Sequence, residues 1–336
     1  MPFDADADIA GWDALAASAP PFLRPAFFQA TARWLAGDGE SRLIAARSGG
    51  RLEAVLPVLR RGRGLFGLRS LHTPRYDLVG DPAAVPELWR LLREDRSWRS
   101  LELRGVPEDS ALVAAVSDCA RRDGFPLELG AGSAAPFMPL ADFERDLDGR
   151  FRRNLAARRR KLPGCSFERV TAADPAALAD LFRIEAAAWK GEAGSAIAAD
   201  PALVGFYTEI ARRFAETGDL SLSFLCSGGR RIAAHFGLES GGVYYLLKTG
   251  YDPDYARYGP GHLIVYETAL DARARGLREF DFLGQEMEWK RQWTARVRRH
   301  VRILAYRRSA AGLASHALRH RVRPALGRVR ASLRSL

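Results

Sequence analysis

Residues 243–263 read VYYLLKTGYDPDYARYGPGHL. The run from Val243 to Thr249 mixes β-branched, aromatic and aliphatic residues and has the chemistry of a strand. Gly250, Gly259, Pro260 and Gly261 then break it into a loop, 250–260, that enters a helix over 261–275. A glycine loop running into a helix N-terminus presents unpaired backbone N–H groups and the positive end of the helix dipole, which suits a pyrophosphate. Gly259 and Gly261 allow close backbone approach, and Pro260 pre-sets the first turn. No Walker lysine follows, and no Gly-x-Gly-x-x-Gly sits after a first strand, so P-loop and Rossmann readings fit poorly.

Outward from this stretch the pattern is regular. Downstream come a strand at 279–283, a short helix at 286–293 and a strand at 299–306. Upstream lie meander strands at 220–226 and 231–238, with Gly228-Gly229 and Gly241-Gly242 as turns. Helices over 175–189 and 202–216 and a strand at 167–170 precede them. The order predicts an α+β architecture with a mixed, mostly antiparallel sheet flanked by helices. The first part repeats the alternation: a hairpin 43–46/52–59 across Gly49-Gly50, a Gly/Arg-rich connector at 61–67, a helix at 85–93, a strand at 100–103, a helix at 110–123 ended by Gly124, and a strand at 126–129. Two similar halves are expected, 1–142 and 163–308. Between them, 143–162 is a basic bridging helix with Phe143, Leu147, Phe151 and Leu155 at four-residue spacing. A tail, 309–336, is basic and amphipathic.

The 336 residues carry a formal net charge of +11, a pI near 10.0 and 47% hydrophobic residues, enough for two cores and a bias toward anionic partners. The excess is mostly arginine, which suits planar, bidentate recognition of phosphate. Cys119, Cys165 and Cys226 are far apart and show neither zinc nor disulfide spacing, so a reducing compartment is expected. The acidic start lacks a secretory h-region and no stretch approaches a membrane span, so a cytoplasmic protein is expected. The tail has no acidic residue after 309 and suits peripheral contact with an anionic membrane face.

Several motifs together resemble one family. Tyr251-Asp252-Pro253, Tyr258-Gly259-Pro260-Gly261-His262-Leu263, Phe280-Asp281-Phe282-Leu283-Gly284 and Trp289-Lys290 with Trp293 are similar to the cellulose-biosynthesis acetyltransferase branch of the GNAT superfamily. Phe151–Leu162 resembles its basic bridging helix, and Glu185 with Trp189-Lys190-Gly191 its Trp-Lys-Gly segment. The motifs are specific from about 143 to 293, and the first half fits more loosely. The resemblance implies tandem GNAT-like halves, with acetyl-CoA or another acyl-CoA held at Tyr258, Gly259, Pro260, Gly261 and His262, and with Lys248 facing the cleft where the fourth strand splays from the fifth. It departs from the pattern at Gly259, where serine is usual, at Ala256, where the wider superfamily has Arg or Gln, and at Trp289, which replaces a tyrosine. More distantly the chain is similar to the Fem aminoacyltransferases, which use aminoacyl-tRNA on tandem GNAT halves; the helical-hairpin arm of some Fem proteins has no counterpart.

The resemblance implies direct transfer of an acyl group to an amine or hydroxyl, with the protein supplying position, electrostatic stabilisation and a base. Catalytic candidates are His235, Lys290 and Asp281. His235 is either a base or a satisfied core group. Lys290 either pairs with a phosphate or is a surface lysine. Asp281 is either a buried structural carboxylate or a site residue. Glu185, Trp189, Lys190 and Tyr251 are candidates for the acceptor pocket. No metal site is expected from ligand spacing. The acceptor would be a small molecule or polysaccharide precursor in an exopolysaccharide or cell-envelope setting. The alternatives are a tRNA-dependent transferase and a non-catalytic scaffold or nucleic-acid binder. Apart from tRNA, nucleic acid is disfavoured by the lack of an aromatic-interleaved basic motif.

Overall fold

The computed structural model describes residues 8–187 and 196–317. The first half opens with helices α1 (Ile9–Leu15) and α2 (Pro25–Leu35), then the hairpin β1 (Glu40–Ser48) and β2 (Arg51–Arg61). Gly49 and Gly50 turn the hairpin at φ of 56° and 83°, backbone that glycine adopts without a Cβ penalty. The expected connector holds a strand, β3 (Gly64–Gly67), and β4 (Val79–Gly80) follows. Then come α3 (Val85–Glu94), β5 (Ser100–Pro107) and α4 (Ala111–Asp123). Ser110 caps α4, and Gly124 ends it in the left-handed region at φ 69°.

β6 spans Leu127–Pro139, far longer than the strand expected at 126–129. Its sequence, LELGAGSAAPFMP, lacks the β-branched alternation that marks a strand. The bridging helix is two pieces, α5 (Phe143–Asp146) and α6 (Gly149–Lys161). Leu147 is extended, and the Asp148 carboxylate accepts from the N–H groups of Arg150 (3.0 Å) and Phe151 (2.9 Å), restarting the helix.

The second half runs β7 (Ser166–Val170), α7 (Pro175–Ala186), α8 (Pro201–Glu216), β8 (Leu220–Ser227), β9 (Arg230–Ser240), β10 (Val243–Tyr251), α9 (Pro260–Ala274), β11 (Glu279–Asp281), α10 (Glu288–Arg291), β12 (Val297–Tyr306) and α11 (Ala310–Ala317). Asp174 and Asp200 cap α7 and α8, each followed by proline at the first helical position. Within the expected loop 250–260, Pro253–Tyr258 forms a 3-10 turn. The tail is described only as far as α11; the rest of 309–336 lies outside the described residues.

All strands but β4 follow one continuous path, β1-β2-β3-β5-β12-β6-β11-β10-β9-β8-β7. The halves interlock in it: β12 lies between β5 and β6, and β6 passes on to pair with β11 through Pro139/Glu279, Met138/Phe280 and Phe137/Asp281. Side chains alternate across the sheet. In the second half Tyr244, Leu246, Phe280 and Phe282 join the core under α9, with Phe143 and Leu155. Tyr245 and Leu283 join the opposite core, with Leu181, Phe206 and Tyr207 of α7 and α8. Phe22 and Phe27 from the first half are fully buried in that same core, and each such ring contributes a few kcal/mol, about 3–5 by truncation to alanine. No helix among the described residues is long and apolar enough to cross a membrane.

Candidate active site

The site is built by a local failure of sheet pairing. β10 and β11 run parallel for three pairs only: Val243/Glu279, Tyr244/Phe280 and Tyr245/Asp281. Beyond Tyr245, β10 stays with β9, and the register skips a residue between Leu246 and Lys248. That bulge at Leu247 turns β10 away from β11 and opens a cleft whose apex is Tyr245 and Asp281.

On one face of the cleft α9 begins. Gly259 is its N-cap, left-handed at φ 61°, and Pro260 is its first residue. The N–H groups of His262 and Leu263 both reach back to the Gly259 carbonyl at 3.1 Å, and Pro260 has no N–H to give. Arg158 of α6 lies over this turn. A Cβ on Gly259 would stand 2.4 Å from its Nη1. Arg158 has no carboxylate within ion-pair distance among the described residues, an unfavourable place for a cation beside a helix N-terminus unless an anion joins it. Arg257 donates to the Tyr258 hydroxyl (2.8 Å). The Tyr251 ring packs where a Gly261 Cβ would stand, 3.2 Å away. His262 lies inward, edge-on to Phe151 and accepting from Trp293 Nε1 (3.3 Å). Burial, then Arg158, hold its pKa below the ordinary histidine value.

The other face carries the titratable groups. Asp281 is buried; burial pushes its carboxyl up to about 6, against the Leu283 N–H (2.8 Å) and Arg298 (3.2 Å), which favour the anion. Lys290 is also buried and does not project outward. Its ammonium donates to the Leu283 and Gln285 carbonyls at 2.6 and 2.9 Å, and burial lowers it to about 8. It thereby holds a turn in which Leu283 has φ 52° and Gly284 φ 60°. Lys248 lies 3.7 Å from Glu185, which accepts from the Ile197 N–H (2.9 Å). The ammonium also lies over the Tyr207 ring (5.6 Å), and Tyr207 meets His72 of the first half, hydroxyl to Nδ1, at 3.1 Å. Burial, then Lys248, push His72 down to about 4.

Comparison with known proteins bears on the fold. Residues 149–291 match the family described as an acetyltransferase (GNAT) domain. The fold is similar to a C-terminal domain (DUF2156) assigned to a lysylphosphatidylglycerol synthetase of Agrobacterium fabrum, at 15% identity, TM-score 0.61, covering 93% of this chain and 96% of that one. It is similar to FemX at 14% identity, TM-score 0.61, over 88% and 96%. It is also similar to a tandem GNAT protein from the clavulanic acid biosynthesis pathway at 14% identity, TM-score 0.50, over 92% and 98%. No curated protein matches in sequence. The chain has a GNAT fold.

The short parallel pairing that borders the cleft has a counterpart in the first half, but the space beside it is filled. β3 and β5 also run parallel for three pairs, Gly64/Ser100 to Phe66/Glu102. There the fully buried Tyr76 fills the space, donating its hydroxyl to the Pro57 carbonyl (2.6 Å). The helix that follows, α3, starts without a glycine, and the Asp81 carboxylate accepts from the Ala83 N–H (2.8 Å) just before it.

The cleft of the second half gathers most of the residues singled out in sequence. Tyr258, Gly259, Pro260, Gly261, His262 and Tyr251 surround the start of α9, so Tyr251 lies beside the donor candidates and not in the expected acceptor pocket. Asp281, Lys290, Lys248 and Glu185 line the other face, and Lys248 thus stands with Glu185 and away from the helix N-terminus. His235 is separated from Asp281. It is fully buried on the α9 side, its Nδ1 3.3 Å from the Thr268 hydroxyl and its ring edge-on to Phe280. Trp189 and Lys190 lie outside the described residues. Arg158, His72, Tyr207 and Tyr245 were missed. Arg158 sits within an arginine run where spacing singles out no member, and His72 and Tyr207 meet only through long-range packing. Among the described residues no group of three or more His, Cys, Asp or Glu side chains could hold a metal ion.

Proposed function

We propose that the protein is an acyltransferase that moves an acetyl or longer acyl group from acyl-CoA to an amine or hydroxyl, and that the second half carries the site. The observation that supports this most is the parting of β10 and β11 at Tyr245/Asp281 beside a glycine-started helix, while the corresponding opening in the first half is filled by Tyr76. In this reading the first turn of α9, with Gly259, Gly261, Tyr258 and Arg158, holds the pyrophosphate. Acyl-CoA supplies an activated thioester.

The chain's own residues then divide the work. Asp281 takes the proton of the attacking amine or hydroxyl. A carboxyl near 6 is mostly ionised at neutrality yet more basic than a solvated aspartate. His72, near 4, is a weaker base. Lys290 positions the turn after β11 through its two carbonyl contacts and does not pair with phosphate. His235 serves the core, and Lys248, Glu185 and Tyr207 shape the acceptor side. An exopolysaccharide or cell-envelope acceptor is what the family resemblance implies. The basic tail would keep the enzyme near an anionic membrane face inside the cell.

The test is calorimetric titration with acetyl-CoA beside free pantetheine. Micromolar binding that Arg158→Glu weakens at least about tenfold is expected, since reversing one charge-assisted contact costs 1.4 kcal/mol or more. Absence of binding at millimolar acetyl-CoA would sink the reading. A second reading, an aminoacyl-tRNA donor as in Fem proteins, draws on the exposed Arg152, Arg153, Arg159 and Arg160 of α6, which stands next to the donor face. It predicts tRNA binding that falls steeply with salt.

A further inference from the structure

A buried guanidinium N–H normally finds an acceptor, because leaving a charged donor dry and unpaired is costly. Residues 68–78 of the first half break this rule twice. Arg69 Nε and Arg75 Nε are both buried and have no hydrogen-bond partner. Arg69 spends one nitrogen on the Thr73 carbonyl (2.9 Å) and otherwise stands over Gly105, with no carboxylate within ion-pair distance among the described residues. Arg75 has only Asp77, at 3.8 Å, and the Asp77 carboxylate already accepts from the Ser110 hydroxyl (2.5 Å) and the Leu78 N–H (2.9 Å).

The two arginines meet at Gly105 of β5, over which Arg69 stands and whose carbonyl accepts from the Tyr76 N–H next to Arg75 (3.0 Å), and one more group that prefers not to be charged lies alongside. His300 of β12, paired with Pro107 of β5, is 5% exposed with its Nδ1 3.4 Å from the Ser133 hydroxyl; burial, and then Arg75, Arg69 and Arg298, disfavour its protonation. Arg298 is satisfied by Glu279 (2.6 Å) and Asp281 (3.2 Å). Three guanidinium groups therefore gather around His300, and of them Arg69 has no carboxylate within ion-pair distance among the described residues while Arg75 has one only at 3.8 Å. Arg298 reaches from β12 to the Asp281 carboxylate (3.2 Å), and Arg75 is near enough to act on both Asp281 and Tyr245, so the cluster lies beside the apex of the cleft.

We infer that Arg69 and Arg75 form an oxyanion subsite for the acceptor, whose phosphate or carboxylate group takes the two orphaned Nε donors and lies next to Asp281. The inference deepens the proposed function and rests on its placing the acceptor on the Asp281 side of the cleft. An acceptor held by its oxyanion there would present its amine or hydroxyl toward the cleft apex. The first half would then contribute substrate recognition, although its own cleft is closed.

The test uses the full chain in low-chloride buffer, titrated with inorganic phosphate and, separately, malonate. Wild type, Arg69→Gln, Arg75→Gln, the double variant and Arg158→Gln are compared by calorimetry and thermal melting. The double variant is expected to lose at least about tenfold in affinity for the anion, and to do so equally in the Arg158→Gln background, where binding at the start of α9 is silenced, because each lost charge-assisted contact carries much of the binding. Melting of the arginine variants without ligand should stay near wild type, since each trades a dry, orphaned Nε against one lost contact, to the Thr73 carbonyl or to Asp77. Preference for phosphate or malonate tells which oxyanion the site takes. Neither anion binding the wild type, binding that only Arg158→Gln abolishes, or wild-type affinity in a double variant that melts lower would each overturn the inference. The last would mark the arginines as structural. Acetyl-CoA titration of the same proteins separates the two readings: its failure in wild type removes the acyltransferase proposal, while retained acetyl-CoA binding with no anion binding removes only the subsite.

Discussion

Tyr245 and Asp281 are the last residues that β10 and β11 hold in register, and both point to the face opposite α9. Asp281 buries its carboxylate there, and burial also pushes the Tyr245 hydroxyl up to about 12, with Asp281 adding to the shift. A phenol that stays protonated and a carboxyl near 6 thus share the apex of the cleft.

If Asp281 is the base, Asp281→Asn should lower kcat/KM by about 10²–10⁴-fold. It should not destabilise the protein at neutral pH. The folded pKa, about 6, lies above the ordinary 3.8, so the folded state retains a proton that the unfolded chain releases between those values. Stability therefore falls as pH rises from about 4 to 6, and the Asn variant should lack that slope. Urea titrations at stepped pH check this, and a wild-type slope in the variant would assign the proton elsewhere.

Lys290 gives the opposite sign. Its folded pKa, about 8, lies below the ordinary 10.5, so between them the unfolded chain holds the extra proton and stability rises with pH. Lys290→Met should flatten that rise and cost about 1–3 kcal/mol at neutral pH, since the Leu283 and Gln285 carbonyls lose their donor. The wild-type rate should climb through pH 6 with Asp281 and show no decline tied to Lys290, whose neutral amine keeps two N–H donors for the two carbonyls. A lysine that paired with donor phosphate would instead raise the KM for acyl-CoA on removal and leave stability alone.

Gly250 is the point where β10 meets α7 backbone to backbone. A Cβ there would lie 2.6 Å from Glu185 Cα and 2.9 Å from the Ile184 carbonyl oxygen. Gly250→Ala should therefore destabilise by about 1–3 kcal/mol and disturb the Lys248–Glu185 contact. The KM for the acceptor should rise more than that for acyl-CoA. Gly241→Ala is the control: its Cβ meets nothing, and the cost is that of φ 58°, about 1–2 kcal/mol, with both KM values unchanged.

The second half was legible because its signals are local. The strand, the glycine loop and the helix at 243–275 follow one another in the chain, and the motif strings sit on that same stretch. The first half and the junction were less legible. β6 hides its alternation in Gly130, Ala131, Gly132 and Ala134, and its partners β11 and β12 lie far along the chain. The bridging helix looked continuous because its four-residue apolar spacing survives the break at Leu147; only the capping chemistry of Asp148 marks the restart. Lys290 was visible as a motif residue, but whether its ammonium faces a ligand or a backbone carbonyl depends on the turn at Leu283, whose positive φ no propensity announces.

The start of α9 offers the sharpest separation of binding from folding. An aspartate at position 261 adds negative charge to the first turn, where the helix dipole favours it by about 0.3–1 kcal/mol, so Gly261→Asp should fold at least as well as wild type. Its Cβ needs only a small shift of the Tyr251 ring, 3.2 Å away. The same carboxylate would draw Arg158 to itself and repel a pyrophosphate, so affinity for acetyl-CoA should fall by at least about tenfold. An unchanged melting temperature with lost acetyl-CoA binding places the donor at this turn. Unchanged affinity would move the donor away from α9, and Arg158 would then need another anion to explain its position.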